Sequence, residues 1–323
     1  MINILEVKGL SKKFDNCLAV DNIDFNVRKG EIFGFLGPNG AGKTTTINML
    51  TGLTRPSGGE FLINGIDGIN HIKKAQAIMG IVPDESNLYD ELSGFENLCF
   101  CASLYGMEKR ERQKRAGELL SEFGLSNVSG RLFKQYSKGM KRKLTIAAGI
   151  IHYPEILFLD EPTTGIDIES ARNIRAMIRD MNRRGTTIFL TTHYIEEAER
   201  LCDRIGFIAE GRIILIGTLD ELMTGIQGHN TMQFMIAEDI GRIKDEFSDK
   251  FSNYKVNIVD QKLIRIDSPG RIDLLPFVQY FDKKNIAVLE AKIIRPSLED
   301  VFVSVTGIGL ESMKREKEGK KKK

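Results

Sequence analysis

Apolar residues in the first part of the chain follow two patterns that alternate along the sequence. Short apolar runs, such as residues 32–36 and 156–159, are typical of buried strands. Longer stretches, such as residues 138–151 and 168–184, repeat apolar residues with the spacing of one helix face. Strands that alternate with helices predict an α/β domain on a largely parallel sheet. The opening segment differs, because two strands around a turn at residues 15–16 indicate an antiparallel start.

These patterns locate the individual elements. The predicted strands are residues 5–8, 23–27, 32–36, 156–159, 187–191, 205–209 and 212–217, and the predicted helices are residues 44–53, 94–105, 109–123, 138–151, 168–184 and 194–202.

A second pattern follows a linker at residues 227–230. Residues 231–294 predict the order βαββαβ, with helices at residues 240–251 and 272–284. This order is the split-βαβ or ferredoxin-like arrangement of a small α+β domain. Because 323 residues exceed what one core usually carries, we expect two domains. The predicted division is residues 1–228 for the first domain, 229–309 for the second, and 310–323 for a basic, disordered tail.

Composition narrows the class of protein. The chain is 41% hydrophobic and 28% charged, as soluble globular proteins are, and its net charge of +2 gives no reason to expect a nucleic-acid partner. No apolar run approaches the ~20 residues that cross a bilayer, and the first residues lack the features of a signal peptide. The sequence therefore predicts a cytoplasmic protein.

The most specific motif lies between a predicted strand and a predicted helix. Residues 37–44 fit G-x-x-x-x-G-K-[ST], in which backbone N–H groups wrap a nucleotide's phosphates. A strand before the loop and a helix start after it are the context that this motif requires. The residues predicted to bind the nucleotide are Gly37, Asn39, Gly40, Gly42, Lys43, Thr44 and Thr45. The hydroxyl of Thr44 is also a predicted ligand of Mg²⁺.

Two carboxylates end the apolar run at residues 156–159. Asp160 emerges at the carboxyl end of a buried strand, where open α/β sheets bind ligands, and is predicted to hold Mg²⁺. Glu161 follows it and is predicted to deprotonate the water that attacks the terminal phosphate. With the phosphate loop, this pair predicts a Mg²⁺-dependent nucleoside triphosphatase.

Residues 160–167, with the sequence DEPTTGID, resemble the strand-plus-turn signature of ABC transporter ATPase subunits. Residues 136–140 lie where that family carries its Leu-Ser-Gly-Gly-Gln motif, and they keep Ser137 and Gly139. His193 matches the family's switch histidine, and Phe14 matches the aromatic residue that stacks on adenine. The resemblance implies a P-loop ABC-type ATPase domain that binds ATP, with Lys43, Glu161 and His193 in catalysis.

The family also implies partners. In it, two ATPase domains pair head to tail, so that each nucleotide lies between one copy's phosphate loop and the other copy's Ser137 and Gly139. Residues 296–302 and the C-terminal domain resemble the subgroup that serves ABC-2 type exporters. We therefore expect an ATP-bound homodimer on the inner face of the cell membrane, held there by a separate ABC-2 type transmembrane permease.

Three positions depart from the family pattern. Asp84 stands where most relatives carry Gln, and an ionised carboxylate accepts hydrogen bonds but donates none. It is a further predicted ligand of Mg²⁺ or of a water molecule. Lys138 and Met140 replace the usual Gly and Gln of the signature. We expect activity to survive these changes with a different rate and control.

Two other classes of function are compatible with a phosphate loop. One is an ABC-type ATPase that acts on ribosomes or DNA, but such proteins usually carry two ATPase domains or a long coiled coil. The other is a GTPase or a small-molecule kinase, but the sequence has no Asn-Lys-x-Asp guanine-reading motif. Co-purification with a membrane protein or with ribosomes would distinguish the first class from a transporter.

Overall fold

The computed structural model describes residues 2–224, 230–268, 270, 272–294 and 297–306 of the chain. Within these ranges the chain forms two compact units, which divide between Thr218 and Leu219. The predicted domain boundary at residues 228–229 and the predicted tail at residues 310–323 both lie outside the described ranges.

The first unit contains two sheets. Its strands are β1 (Asn3–Phe14), β2 (Cys17–Arg28), β3 (Ile32–Leu36), β4 (Gly58–Ile63), β5 (Ile66–Asp67), β6 (Met79–Val82), β7 (Ile156–Asp160), β8 (Thr187–Thr192), β9 (Arg204–Ala209) and β10 (Arg212–Gly217). Four of them form an antiparallel sheet in the order β2-β1-β4-β5. This sheet contains the antiparallel start that the sequence predicts.

The other six strands form a sheet in the order β10-β9-β3-β8-β7-β6. All pairs in it are parallel except β10 with β9. Every residue of β3 and β7 is buried, as expected of strands that are covered on both faces. Because β3, β8, β7 and β6 are successive neighbours, the segments that follow these strands meet at one edge of the sheet.

Helices surround this sheet. Those of the first unit are α1 (Lys43–Leu50), α2 (Ile72–Gln76), α3 (Gly94–Leu104), α4 (Lys109–Glu122), α5 (Lys138–Gly149), α6 (Ile168–Arg183) and α7 (Ile195–Leu201). Each helix predicted for this unit is present, and its ends lie within three residues of the predicted limits. Polar caps fix three of the starts: the side chains of Ser93 at α3, Ser137 at α5 and Asp167 at α6 each accept a hydrogen bond from a backbone N–H of the first turn.

The strands β4, β5 and β6 were not predicted from the sequence. In β6 the reason is Gly80, because glycine weakens the strand signal of a short apolar run. The structure shows why glycine is present: a Cβ atom there would lie 2.3 Å from the carbonyl oxygen of Gly149. Close approach between β6 and the end of α5 therefore requires a residue without a side chain.

The second unit has the predicted βαββαβ order. Its helices are α8 (Leu219–Thr224), α9 (Lys244–Lys250), α10 (Leu275–Lys283) and α11 (Leu298–Thr306), and its strands are β11 (Asn230–Ile236), β12 (Lys255–Asp260), β13 (Leu263–Ser268) and β14 (Val288–Ile294). The strands form an antiparallel sheet in the order β12-β13-β11-β14. The helix α8 belongs to this unit, because it contacts α11.

Two helices of this unit are shorter than predicted. The helix expected at residues 240–251 is divided into a 3₁₀ turn, Ile240–Arg242, and α9. The helix expected at residues 272–284 begins only at Leu275, with Pro276 in its first turn, where proline is tolerated. Aromatic rings of α9 and α10, among them Phe247 and Phe281 with centroids 5.2 Å apart, fill the space between these helices and the sheet.

None of the helices in the described ranges combines the length and the hydropathy that crossing a lipid bilayer requires.

Candidate nucleotide site

The phosphate loop lies at the carboxyl edge of the six-stranded sheet, between β3 and α1. Two of its glycines are required by their surroundings. A Cβ atom on Gly37 would lie 2.1 Å from the carbonyl oxygen of Ile208, and one on Gly42 would lie 2.6 Å from the carbonyl oxygen of Ala19. Gly42 also has a φ of 102°, which side chains disfavour. The loop therefore directs the free N–H groups at the start of α1 toward one anion-binding concavity.

The Lys43 ammonium is buried at the base of this loop. Its Nζ atom donates hydrogen bonds to the carbonyl oxygens of Gly37 at 2.8 Å and Pro38 at 3.0 Å. It also lies 3.3 Å from Oε1 of Glu161, in an ion pair whose side chains are 5% and 10% exposed. A phosphate bound in the loop would compete with these partners for the ammonium.

Glu161 connects the phosphate loop to the end of the neighbouring strand. Its Oε2 atom lies 2.8 Å from Nδ1 of His193 and accepts a hydrogen bond from the hydroxyl of Thr164 at 3.0 Å. Burial alone would raise the pKa of Glu161, but the hydrogen bond from His193 and the charge of Lys43 outweigh it and hold that pKa below the usual value. The carboxylate is thus ionised and oriented from three sides.

The backbone at Glu161 is unusual as well. Its φ of 47° lies in the left-handed region, which few residues other than glycine adopt. The N–H of Glu161 donates to the carbonyl oxygen of Thr191 at 3.2 Å, so β8 holds the turn that follows β7. Such strained conformations cluster at functional sites because the surrounding structure must maintain them.

Asp160 and Asp84 carry further carboxylate oxygens at the same edge. Asp160 is buried, and the hydroxyl of Thr191 donates a short hydrogen bond to it. Asp84 follows β6 at the surface, where partial loss of hydration and the nearby charge of Asp160 raise its pKa. Hydroxyl, carboxylate and phosphate oxygens are the donors that Mg²⁺ prefers, so the set of Thr44, Asp160 and Asp84 fits that ion. Among the described residues, no three His, Cys, Asp or Glu side chains form a metal-holding cluster.

Arg142 joins these segments, and sequence reasoning did not identify it. The guanidinium is buried and donates hydrogen bonds to the carbonyl oxygens of Asp160 at 2.6 Å and Pro162 at 2.9 Å. It also donates to the carbonyl oxygens of Pro83 and, at 3.0 Å, Asp84. One side chain on α5 therefore holds both segments that carry the acidic residues.

A signal for Arg142 was present in the sequence. Gly139, Arg142, Ile146 and Gly149 follow one another at intervals of three or four residues and are all buried in α5. Helical spacing therefore places this arginine on the apolar face of the helix. Its position among four basic residues obscured that placement.

Glu197 is a second buried charged group that the sequence did not reveal. It lies on α7 and accepts a hydrogen bond at 2.6 Å from the hydroxyl of Thr163, two residues after Glu161. Burial raises its pKa, which the hydrogen bonds from Thr163 and Thr192 partly offset. Glu197 thus joins the turn after β7 to the segment that carries His193.

Ser137 and Gly139 lie apart from this cluster. In the part of the chain that the structure describes, their hydrogen bonds remain within α5 and none reaches Lys43 or Glu161. A Cβ atom on Gly139 would lie 2.4 Å from the hydroxyl of Ser170, so glycine here allows α5 to approach α6. One copy of the chain does not bring these two residues to its own phosphate loop.

Phe14 ends β1 and remains 47% exposed, with Nζ of Lys12 4.8 Å from the centre of its ring. One face of the ring is therefore covered by a cation. Asn39 and Thr45 lie in the phosphate loop and at the start of α1 respectively. Their roles in binding a nucleotide stay predictions.

Comparison with known proteins places this site in a family. A family model described as ABC transporter matches residues 20–164. The linearmycin resistance ATP-binding protein LnrL of Bacillus subtilis is 34% identical over 306 residues, which cover 94% of this chain and 98% of that protein. The chain belongs to the ABC transporter ATP-binding proteins. The daunorubicin/doxorubicin resistance protein DrrA of Streptomyces peucetius is 35% identical over 310 residues, covering 94% of this chain and 92% of that protein.

Solved structures agree with the fold of this ABC ATPase. An ATP-binding subunit of an ABC transporter superposes with a TM-score of 0.64 at 32% identity, covering 69% of this chain and 92% of the other. A dimeric ATP-binding cassette in a post-hydrolysis state, bound to ADP and Pi, gives a TM-score of 0.62 at 27% identity, covering 67% and 98%. The predicted fold class and ATPase activity are confirmed, and action on ribosomes or nucleic acid is not favoured.

Proposed function

We propose that this ABC ATPase is the ATP-hydrolysing subunit of an exporter and works with a separate ABC-2 type transmembrane permease. The observation that carries the proposal is the cluster of Lys43, Glu161 and His193 at the end of the phosphate loop. The relatives described above support export, because they are named for resistance to linearmycin and to daunorubicin. An antibiotic is therefore the first class of cargo to test.

Glu161 is the general base of the proposed reaction. Its carboxylate accepts a proton from the attacking water, whose oxygen bonds to the γ-phosphorus of ATP as the bond to the bridging oxygen breaks. The products are ADP and inorganic phosphate. The base must be ionised to act, and the lowered pKa of Glu161 supports that state at neutral pH. His193 orients the base through Oε2.

Lys43 and the oxygen ligands stabilise the charge that develops on the phosphates. The Lys43 ammonium would exchange its bonds to Gly37 and Pro38 for phosphate oxygens. Thr44 and Asp160 would hold Mg²⁺, with Asp84 as a further ligand of the ion or of its water. When bound, Mg²⁺ supplies positive charge next to the β- and γ-phosphates.

Two copies of the chain complete the proposed site. Ser137 and Gly139 start α5 and make no hydrogen bond to their own phosphate loop among the described residues, which supports a role toward nucleotide on a second copy. The free N–H groups of α5 then face the γ-phosphate from the other side. The exposed face of Phe14 would stack on adenine. ATP thus closes a homodimer, and hydrolysis reopens it.

The permease would dock against the segment that follows Asp84. Large apolar side chains are exposed there without being part of the core: Tyr89 is 57% exposed and Leu104 is 70% exposed. The ring of Tyr89 lies 4.9 Å from that of Phe100, which is one helical turn before Leu104, so these side chains form one apolar patch of the kind that marks surfaces for protein contact. Docking on the permease would place this chain on the inner face of the cell membrane.

Replacement of Glu161 by Gln tests the catalytic assignment. Gln keeps the size of the side chain but cannot accept the water's proton, so we expect hydrolysis to fall by about 10²- to 10⁴-fold. ATP binding should persist and trap a dimer, which sedimentation in MgATP would detect. The matched control is Glu169→Gln on the exposed first turn of α6, which should hydrolyse ATP normally. Undiminished turnover in the Glu161→Gln variant would refute the assignment.

Co-purification tests the partner. The tagged chain, expressed in its own host and extracted with mild detergent, should bring down a multi-span membrane protein. Replacing Tyr89 and Leu104 by Ser should release that protein while the ATPase activity of the isolated chain stays unchanged. Recovery of ribosomes instead of a membrane protein would contradict the proposed function.

A further inference from the structure

The second unit has an open sheet edge at β14. Among the described residues, β14 has β11 as its one neighbour in the sheet, so its other side carries backbone groups that no strand pairs. Folded proteins usually protect such an edge with charge, bulges or a covering element. Here Leu289 and Ile293 on the edge strand are 62% and 63% exposed. Apolar residues on an open edge favour pairing with another strand.

An apolar groove runs beside the same strand. Its volume is about 540 Å³, and its walls come from β11, from β14 and from the segment before α10. Met232 lies opposite Ile293 in the register of β11 with β14, so both belong to the face that the helices cover. Leu274 borders the groove and is 42% exposed. A strand added at β14 would extend this apolar face.

Two copies of β14 that run antiparallel to each other have complementary side chains. An antiparallel pair centred on Ala291 places Glu290 of one strand opposite Lys292 of the other, and does so twice. The same register brings Leu289, which lies at a bulge in the pairing of β14 with β11, opposite Ile293. Glu290 and Lys292 are 46% and 49% exposed, and within one chain their side chains are 3.1 Å apart. Opposite charges and apolar residues that face each other across a pair of strands both stabilise it.

We propose that β14 pairs with β14 of a second copy of this chain, antiparallel and centred on Ala291. The contact is isologous, as a two-fold dimer requires, because each residue that meets its complement does so in both copies. It joins the two C-terminal sheets into one continuous sheet. This contact is additional to the one between the two ATPase units in the proposed homodimer. The inference rests on the proposed function only in assuming that those two ATPase units also associate.

A charge-reversal experiment tests the register. In the full-length chain, Glu290→Lys places two pairs of like charges across the proposed contact, and Lys292→Glu does the same with the opposite sign. We expect each variant alone to self-associate more weakly than the wild type, on the order of tenfold in the dissociation constant. Mixing the two variants should restore association, because at both pairs a lysine of the first variant then faces a glutamate of the second. Sedimentation velocity without nucleotide measures all three samples.

Mixing the two variants is the decisive step because neither variant is altered further by it. A variant that was merely misfolded would not regain association when mixed with another. If the mixture associates no better than either variant alone, the β14 contact is wrong. ATP hydrolysis is measured on the same samples. Normal hydrolysis without restored association overturns the β14 contact and leaves the proposed function intact. A wild type that does not hydrolyse ATP overturns the proposed function.

Disulfide trapping provides a second measurement. Opposite residues of an antiparallel pair have Cβ atoms ~4.5–5.5 Å apart, close to what a disulfide spans. Ala291→Cys lies on the proposed axis, so in a chain with the exposed Cys17 replaced by Ser it should form a covalent dimer on mild oxidation. The control is Leu275→Cys, an exposed position on α10. Equal cross-linking at both positions, or none at Ala291→Cys, would contradict the proposal.

Discussion

The guanidinium of Arg142 directs its hydrogen bonds to backbone carbonyl oxygens on both sides of the acidic cluster. Lysine would keep the charge but not the planar fork that spans them. We expect Arg142→Lys to lower kcat by on the order of tenfold to a hundredfold, because small displacements of catalytic groups are costly, with less change in KM for ATP. Steady-state kinetics and thermal denaturation of the same sample measure both effects.

Arg204 is the matched control for that substitution. It is also a largely buried arginine, ion-paired with Glu31 at 3.1 Å, but it begins β9 at the edge of the sheet away from the phosphate loop. Arg204→Lys should lower stability and leave kcat close to that of the wild type. If both lysine variants lose kcat equally, Arg142 has only a structural role.

A second residue-scale prediction concerns His152 and pH. Burial lowers its pKa, its Nε2 atom donates to the carbonyl oxygen of Met79 at 2.8 Å, and its ring stacks on Tyr105. In the unfolded chain the ring has a pKa near 6.5 and binds a proton below that pH, whereas in the folded chain it stays neutral to a lower pH. Stability should fall as pH drops below about 6.5, by at most about 1.4 kcal/mol per pH unit for this proton.

Urea denaturation across this pH range measures the effect. His152→Gln keeps an N–H donor for Met79 but cannot titrate, so its stability should fall less steeply with acid. His71→Gln, at an exposed position, serves as the control and should follow the wild type. Parallel pH curves for the wild type and His152→Gln would refute the prediction.

The site residues that the sequence predicted are those that belong to a recognisable motif. The loop residues and the pair Asp160 and Glu161 fall where their strand and helix context requires. Arg142 and Thr191 were missed because they act through backbone carbonyls or through another side chain, and no motif marks such a role. Their partners come from segments that are distant in the chain, so only the folded arrangement reveals them.

Contact between two helices gives a prediction at the scale of elements. Alanine in place of a helical glycine usually stabilises by roughly 0.5–1 kcal/mol. Gly139→Ala should instead destabilise and weaken ATP hydrolysis, because its Cβ atom would lie 2.4 Å from Ser170 of α6. Gly117→Ala in α4 meets no atom within 4 Å and should stabilise. The double variant Gly139→Ala, Ser170→Gly should recover much of the loss in melting temperature and in activity.

Whole elements were predicted best where periodicity was long. The helices α4, α5 and α6 extend over several turns, and their apolar spacing fixes them closely. Short elements carry little periodicity, which is why β5 and α2 were missed. In the second unit, the structure divides the predicted helix at residues 240–251. The prediction missed this division because helical spacing of apolar residues alone does not mark the 3₁₀ turn at Ile240–Arg242.

At the scale of the molecule, each compact unit has hydrophobic clusters of its own. We therefore expect calorimetry of the full chain to show two transitions. A ligand that binds only the folded form of one unit stabilises that unit, so MgADP should raise the melting temperature of the first unit alone. A single transition that MgADP moves as a whole would show that the units unfold together.

The position of β8 has a consequence for synthesis on the ribosome. β8 lies between β3 and β7 in the sheet, although it follows both of them in the chain. Until residues 187–192 have left the ribosome, the strand that precedes the phosphate loop and the strand that ends in Asp160 lack their shared neighbour. Both then present unpaired edges that other chains can join. The nascent chain is thus most exposed to misassembly just before its nucleotide site forms, and ATP can assist only after β8 is in place.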